Sequence, residues 1–79
     1  MLPDDLIGRY ISAYHRSNPG FVIYGKITKQ EKSFHHYVGH TNVIHVSSIK
    51  NAQVYLVDID SHYWEVSFMD EMQCRLLAF

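Results

Sequence analysis

The stretch Val54-Tyr55-Leu56-Val57-Asp58-Ile59-Asp60-Ser61-His62-Tyr63-Trp64-Glu65-Val66-Ser67-Phe68 decides the fold class. Apolar side chains recur at every second residue on both sides of Asp60-Ser61, and Trp64, Val66 and Phe68 share one parity while Glu65 and Ser67 share the other. A period of two marks a half-buried strand, because successive side chains leave opposite faces of a pleated backbone. Asp60 and Ser61 are turn formers, so the stretch reads as two strands joined in a tight hairpin.

Working outward, Asn18-Pro19-Gly20 presets a turn, since proline fixes φ and glycine tolerates φ > 0. A strand is expected from about Phe21 to Thr28, with Phe21, Ile23 and Ile27 on one parity. Lys29 to Lys32 reads as a polar loop. Ser33 to Val38 and Asn42 to Ser47 follow as two further strands, or as one strand broken at Gly39. Ser48 to Gln53 is too polar for a strand and reads as a single helical turn.

Both ends admit two readings. Leu6, Ile7, Tyr10, Ile11 and Tyr14 sit at helical spacing behind Pro3, Asp4 and Asp5, which suit a first helical turn. Gly8 and the β-branched and aromatic residues of the same segment lean toward strand. From Ser67 to Phe79, Ser67 with Asp70 and Glu71 suggests a helix start, while Met72, Cys74 and Leu76 alternate like a strand.

The segments Leu6-Ile7-Gly8-Arg9-Tyr10-Ile11, Tyr24-Gly25-Lys26-Ile27 and Val43-Ile44-His45-Val46-Ser47-Ser48-Ile49-Lys50 together resemble the strand order of Tudor-like and Sm-like small β-barrels. The resemblance covers about fifty residues. It implies a mainly β fold, a small SH3-like or Sm-like barrel of about five strands with a short helical turn. The alternative left open is α+β, an antiparallel sheet packed by an N-terminal helix, a C-terminal helix, or both.

At 79 residues the chain is one domain at most, with a small core. A hydrophobic content of 47% and an aromatic content of 14% are enough for it to fold alone. The one cysteine, Cys74, cannot bridge within the chain, and a buried reduced thiol there fits a reducing cytoplasm. No leader and no run approaching the ~20 apolar residues of a bilayer span is visible, so neither export nor a membrane partner is expected.

The net charge of −1 hides a polarity along the chain. From Leu6 to Ala52, Arg9, Arg16, Lys26, Lys29, Lys32 and Lys50 face Glu31 alone; from Gln53 onward, Arg75 faces Asp58, Asp60, Glu65, Asp70 and Glu71. This is either a mixed solvated surface or a basic face opposite an acidic one. Of the six histidines, His35, His36, His40, His45 and His62 have no cysteine pair and no zinc-module spacing, so no metal and no cofactor are expected. Five of the six lie in the basic half, where protonation near pH ~6.5 would add positive charge.

Asp58, Asp60 and Glu65, or Cys74 with a histidine, are the only sketches of catalytic groups, and no spacing fixes either geometry. There is no glycine-rich phosphate loop and no nucleophile elbow. The chain therefore reads as a non-enzyme.

The aromatics carry a binding expectation. Trp64, Phe68, Phe21 and Phe34 are the expected interior, and six tyrosines are too many for so small a core. A mixed Tyr/Lys/His surface around the second and third strands follows, with Tyr24, Lys26, Lys29, His36, Tyr37, Arg16 and Tyr63 as the candidate binding residues. Protein–protein contact is the leading expectation, in the manner of a phage-type inhibitor or regulator of a larger host protein. The alternative is an RNA or single-stranded DNA module, with Tyr24, Tyr37 and Phe34 stacking bases while Lys26, Lys29, Lys32 and Arg16 neutralise phosphates. The near-neutral isoelectric point of 6.6 counts against it. An unpaired barrel edge would also allow a homo-oligomer.

Overall fold

A computed structural model describes residues 6–35 and 39–79. Five strands form one sheet: β1 (Tyr10–His15), β2 (Ile23–His35), β3 (Gly39–Ser48), β4 (Val54–Asp58) and β5 (Trp64–Met69), followed by helix α1 (Glu71–Ala78). The order across the sheet is β4-β3-β2-β1-β5, and every neighbouring pair is antiparallel. The fold is therefore mainly β, with a helix at the C-terminal end.

Of the N-terminal segment, Tyr10–His15 is strand, while Pro3, Asp4 and Asp5 lie outside the described residues. Ile11 and Ala13 point inward and are fully buried, while Tyr10, Ser12 and Tyr14 alternate outward. A turn at Leu6 precedes it, and Gly8 takes φ +93°, which only glycine adopts without strain. That turn lets the Gly8 amide donate to the Ile27 carbonyl at 2.7 Å, prolonging the β1–β2 ladder.

The expected loop at Lys29 to Lys32 is instead the middle of β2. A bulge between Ile27 and Lys29 inserts an extra residue, so the inward set runs Ile23, Gly25, Ile27 and then Gln30. The shift of parity disguises the strand as a polar break. Beyond the bulge the β2–β3 arm leaves the core, and its residues are mostly exposed.

Ser48 to Gln53 is not a helical turn. The Ser48 amide donates to the Gln53 carbonyl, the Lys50 amide to Ser48 Oγ, and the Gln53 amide to Asn51 Oδ1. Side-chain acceptors thus close a polar hairpin between β3 and β4, which local polarity alone does not distinguish from a helical turn.

The largest correction concerns the opening stretch. Both alternating runs are strands, yet β4 pairs with β3 and β5 with β1, so they do not form a hairpin with each other. They are the two edges of the sheet. In a flat sheet those edges would stand ~19 Å apart, four strand spacings of ~4.8 Å. The connection spans only Ile59 to Tyr63, and turns tighten it: the Ser61 amide donates to the Asp58 carbonyl and the Trp64 amide to the Ser61 carbonyl. Such a short, folded connection requires the sheet to curl into a half-open barrel.

The core is aliphatic. Ile11, Ala13, Ile23, Ile27, Ile44, Val46 and Val57 fill it with Leu6, and Trp64 and Val66 pack against it only partly buried. The expected interior of Phe21, Phe34 and Phe68 is exposed. A barrel this narrow is filled by β-branched side chains, and the rings lie at its margins. Phe21 meets Tyr55 edge-on at 5.6 Å, Phe34 meets His40 on the β2–β3 arm, and the Arg9 guanidinium covers Phe68 at 4.5 Å.

The C-terminal segment resolves as helix from Asp70 onward. Asp70 Oδ1 accepts from the Gln73 amide at 2.7 Å, which caps the first turn, and Cys74 and Ala78 turn inward one helical turn apart. The parity shared by Met72, Cys74 and Leu76 is incidental, since Met72 and Leu76 face solvent. No helix among the described residues is long and apolar enough to cross a membrane.

Candidate contact site

The sequence-derived binding residues fall into two separate groups. On β2, Tyr24 and Lys26 face outward beside Ser12 and Tyr10 of β1, as their shared parity requires. Lys29 follows after the bulge, on the side of His45 and Glu31. Lys29 Nζ lies 3.5 Å from Glu31, and His45 Nε2 lies 3.0 Å from the same carboxylate. The hydrogen bond from His45 and the charge of Lys29 hold the Glu31 carboxyl below its ordinary range. Lys29 is therefore a partner in a local ion cluster. His36 and Tyr37 lie outside the described residues.

Arg16 and Tyr63 form the second group, at the far end of β1. The Arg16 amide donates to the Tyr63 carbonyl at 2.7 Å, and the Arg16 guanidinium pairs with Glu65 across the β1–β5 ladder. This pair joins the basic and acidic halves of the chain, so in this region the two halves interleave instead of opposing each other.

Around Tyr63 the fold assembles residues that sequence reading did not connect. His15 stacks parallel to the Tyr63 ring at 5.6 Å and an interplanar angle of 6°, and it meets Trp64 edge-on at 5.2 Å. His62 also meets the Tyr63 ring, tilted by 35° at 4.1 Å. The Ser17 amide donates to His15 Nδ1 at 3.2 Å, and Ser17 Oγ lies 2.6 Å from the same nitrogen. The Tyr63 ring is held by these contacts yet remains 52% exposed.

Beside it opens a cleft of about 490 Å³ between the start of β3 and the β4–β5 connection. It is lined by His40 and Thr41 of β3, Asp58 of β4, and Asp60, Ser61, His62 and Tyr63 of the connection. Asp60 Oδ2 accepts from both the backbone amide and the side-chain amide of Asn42, at 3.0 and 2.8 Å, and ties the connection to β3. Asp58 Oδ1 accepts from the Asp60 amide, and Ser61 Oγ from the Tyr63 amide. The carboxylates thus build the turn that presents Tyr63. No group of three or more metal-ligating side chains converges among the described residues.

Cys74, the sketched nucleophile, lies elsewhere. It is buried beneath α1, its Sγ donates to the Ile11 carbonyl at 3.7 Å, and burial pushes its thiol up. His62 and Tyr63 beside the turn formers Asp60-Ser61 were the only sequence hint of this end. His15 and Arg16 are too distant in the chain for alternation to place them there. No protein family, curated protein or solved structure matches the chain.

Proposed function

We propose that the chain is a small non-catalytic binding protein that acts by protein–protein contact, in the manner of a phage-type inhibitor or regulator of a larger host protein. The strand order and the short β4–β5 connection support kinship with Tudor-like and Sm-like barrels at the level of fold. The observation that carries the functional reading is Tyr63: half-exposed, stacked on His15, met at a tilt by His62, fixed by a backbone bond to Arg16, and lining an open cleft. An aromatic ring ordered before its partner arrives loses little freedom on binding, which is why such rings dominate protein interfaces.

The charge pattern favours a protein over a nucleic acid. Asp58 and Asp60 line the cleft and would repel a phosphate backbone, while Arg16 and Lys29 are already paired with carboxylates. A partner with a polar or basic segment suits the cleft. The test is affinity recovery from the native host on immobilised wild-type protein and on Tyr63→Ala. Loss of a specific wild-type partner on the variant supports the reading. An unchanged set of partners, or salt-sensitive binding of a short single strand instead, counts against it.

A further inference from the structure

Building on the reading of the Tyr63 cleft as a protein contact, and resting on it, we propose that the cleft takes an extended segment of the partner. The segment hydrogen-bonds to the uncovered edge of β3 at His40 and sets a lysine or arginine side chain against Asp58 and Asp60.

The cleft stands where the β3–β4 ladder stops. Ser48 and Asn42 of β3 both turn their backbone groups toward β4: the Ser48 amide donates to the Gln53 carbonyl, and the Asn42 carbonyl accepts from the Ile59 amide at 3.1 Å. Backbone groups alternate in direction along a strand, so the even-numbered residues of β3 face β4, and His40 points its amide and carbonyl the same way. Continuing the register that sets Ile44 against Val57 would place Ser61 opposite His40. The chain has turned aside by then, with the Ser61 amide donating back to the Asp58 carbonyl at 3.2 Å. The space left is the cleft of about 490 Å³, lined by His40 on one side and Ser61 on the other. An open strand edge beside a cleft offers one donor and one acceptor to a backbone that arrives extended.

Charge selects the side chain that the segment carries. Among the described residues, the lining includes Asp58 and Asp60 and no lysine or arginine. Each carboxylate spends one oxygen on the turn, Asp58 Oδ1 on the Asp60 amide and Asp60 Oδ2 on Asn42, and each has a second oxygen with which to accept from a cation. Arg16 and Glu65, close by, neutralise each other, so the two aspartates set the sign of the field. The half-exposed Tyr63 ring gives the aliphatic stem of a lysine or arginine an apolar surface to lie on.

The test is a random heptapeptide library displayed on phage, selected on the immobilised full chain at about pH 7.5, where histidine is ordinarily neutral, with counter-selection on Tyr63→Ala. Enriched sequences should carry a lysine or arginine. A synthetic peptide of the enriched sequence should slow hydrogen exchange at the His40 amide of the isotope-labelled chain by about tenfold or more. Asp58→Asn keeps a side-chain oxygen for the Asp60 amide, and it should weaken that peptide by about tenfold or more with an unchanged far-ultraviolet spectrum, as expected for loss of a charge-assisted bond. No enrichment over Tyr63→Ala, enrichment without basic residues, equal affinity for Asp58→Asn, or a bound peptide that leaves His40 exchange unaltered would each overturn the proposal. A host partner that is lost on Tyr63→Ala but held equally by Asp58→Asn would overturn it and leave the protein-binding reading standing. Absence of any Tyr63-dependent partner would remove both.

Discussion

Gly25→Ala is expected to be among the most damaging single changes in this chain, although it adds only one methyl group. Gly25 lies in the middle of β2, paired with Ile11 on one side and Ser48 on the other. A Cβ built there would press into the Ser47 carbonyl oxygen, with the carbonyl carbon at 2.8 Å and Val46 Cγ1 at 2.9 Å. Most of the obstruction is β3 backbone, so no side-chain rotation relieves it, and the two strands must move apart where the sheet bends. Overpacking of a core costs about 1 to 3 kcal/mol, and a backbone obstruction places this case near 3 kcal/mol. A chain of this length has a net stability of about 4 to 12 kcal/mol. With a urea dependence of about 1 to 1.5 kcal/mol per molar, the unfolding midpoint should fall by about 2 to 3 M. Equilibrium urea unfolding followed by Trp64 fluorescence measures it. A loss below about 0.5 kcal/mol, within the ordinary range for surface changes, would mean that β2 and β3 do not approach as described.

Asp70→Ala removes the acceptor that caps α1 and should cost about 1 kcal/mol in the same unfolding experiment. Cys74 lies beneath that helix, so thiol labelling of the native protein should be slow and should quicken in Asp70→Ala; immediate full labelling of the wild type would contradict the packing. The third prediction concerns acid. Glu31 has its carboxyl lowered from an ordinary value of 4.5, first by the hydrogen bond from His45 and then by the charge of Lys29. A depressed folded value contributes stability that is complete above the unfolded value and lost as pH falls through the folded one. Glu31→Gln should therefore unfold at lower urea than the wild type at about pH 6, with the gap narrowing as pH falls below 4.5 and through the folded value. A gap unchanged by acid would show that the ion cluster is not its source.

What the sequence discloses here follows from the reach of each signal. Alternation found β4 and β5 because it depends on adjacent residues, and it placed Tyr24 and Lys26 together for the same reason. It could not choose partners for those strands, since pairing β5 with β1 brings Arg16 to Glu65 and His15 to Tyr63 across most of the chain. The strand expected from Phe21 to Thr28 is the first half of β2, and one extra residue in a bulge hid the second half by shifting the inward position from Ile27 to Gln30. The aromatic interior failed because Ile11, Ile27, Ile44 and Val46 fill the core, while Phe34, at 68% exposure, lies on the arm beyond the bulge. At the C-terminal end, propensity was balanced between strand and helix. The Asp70 cap and the burial of Cys74 and Ala78 decided for helix, and the second of these needs the finished sheet.

The account turns on Tyr63 as the anchor of a protein contact, and calorimetric titration of the recovered host partner tests that most directly. An interface anchor contributes about 2 kcal/mol or more, so Tyr63→Ala should weaken binding by about 30-fold or more. Lys26→Ala and Lys29→Ala, on the outer face of β2, should each stay within about threefold of the wild type. Tyr63→Ala binding as tightly as the wild type, with the lysine variants failing, would contradict the account.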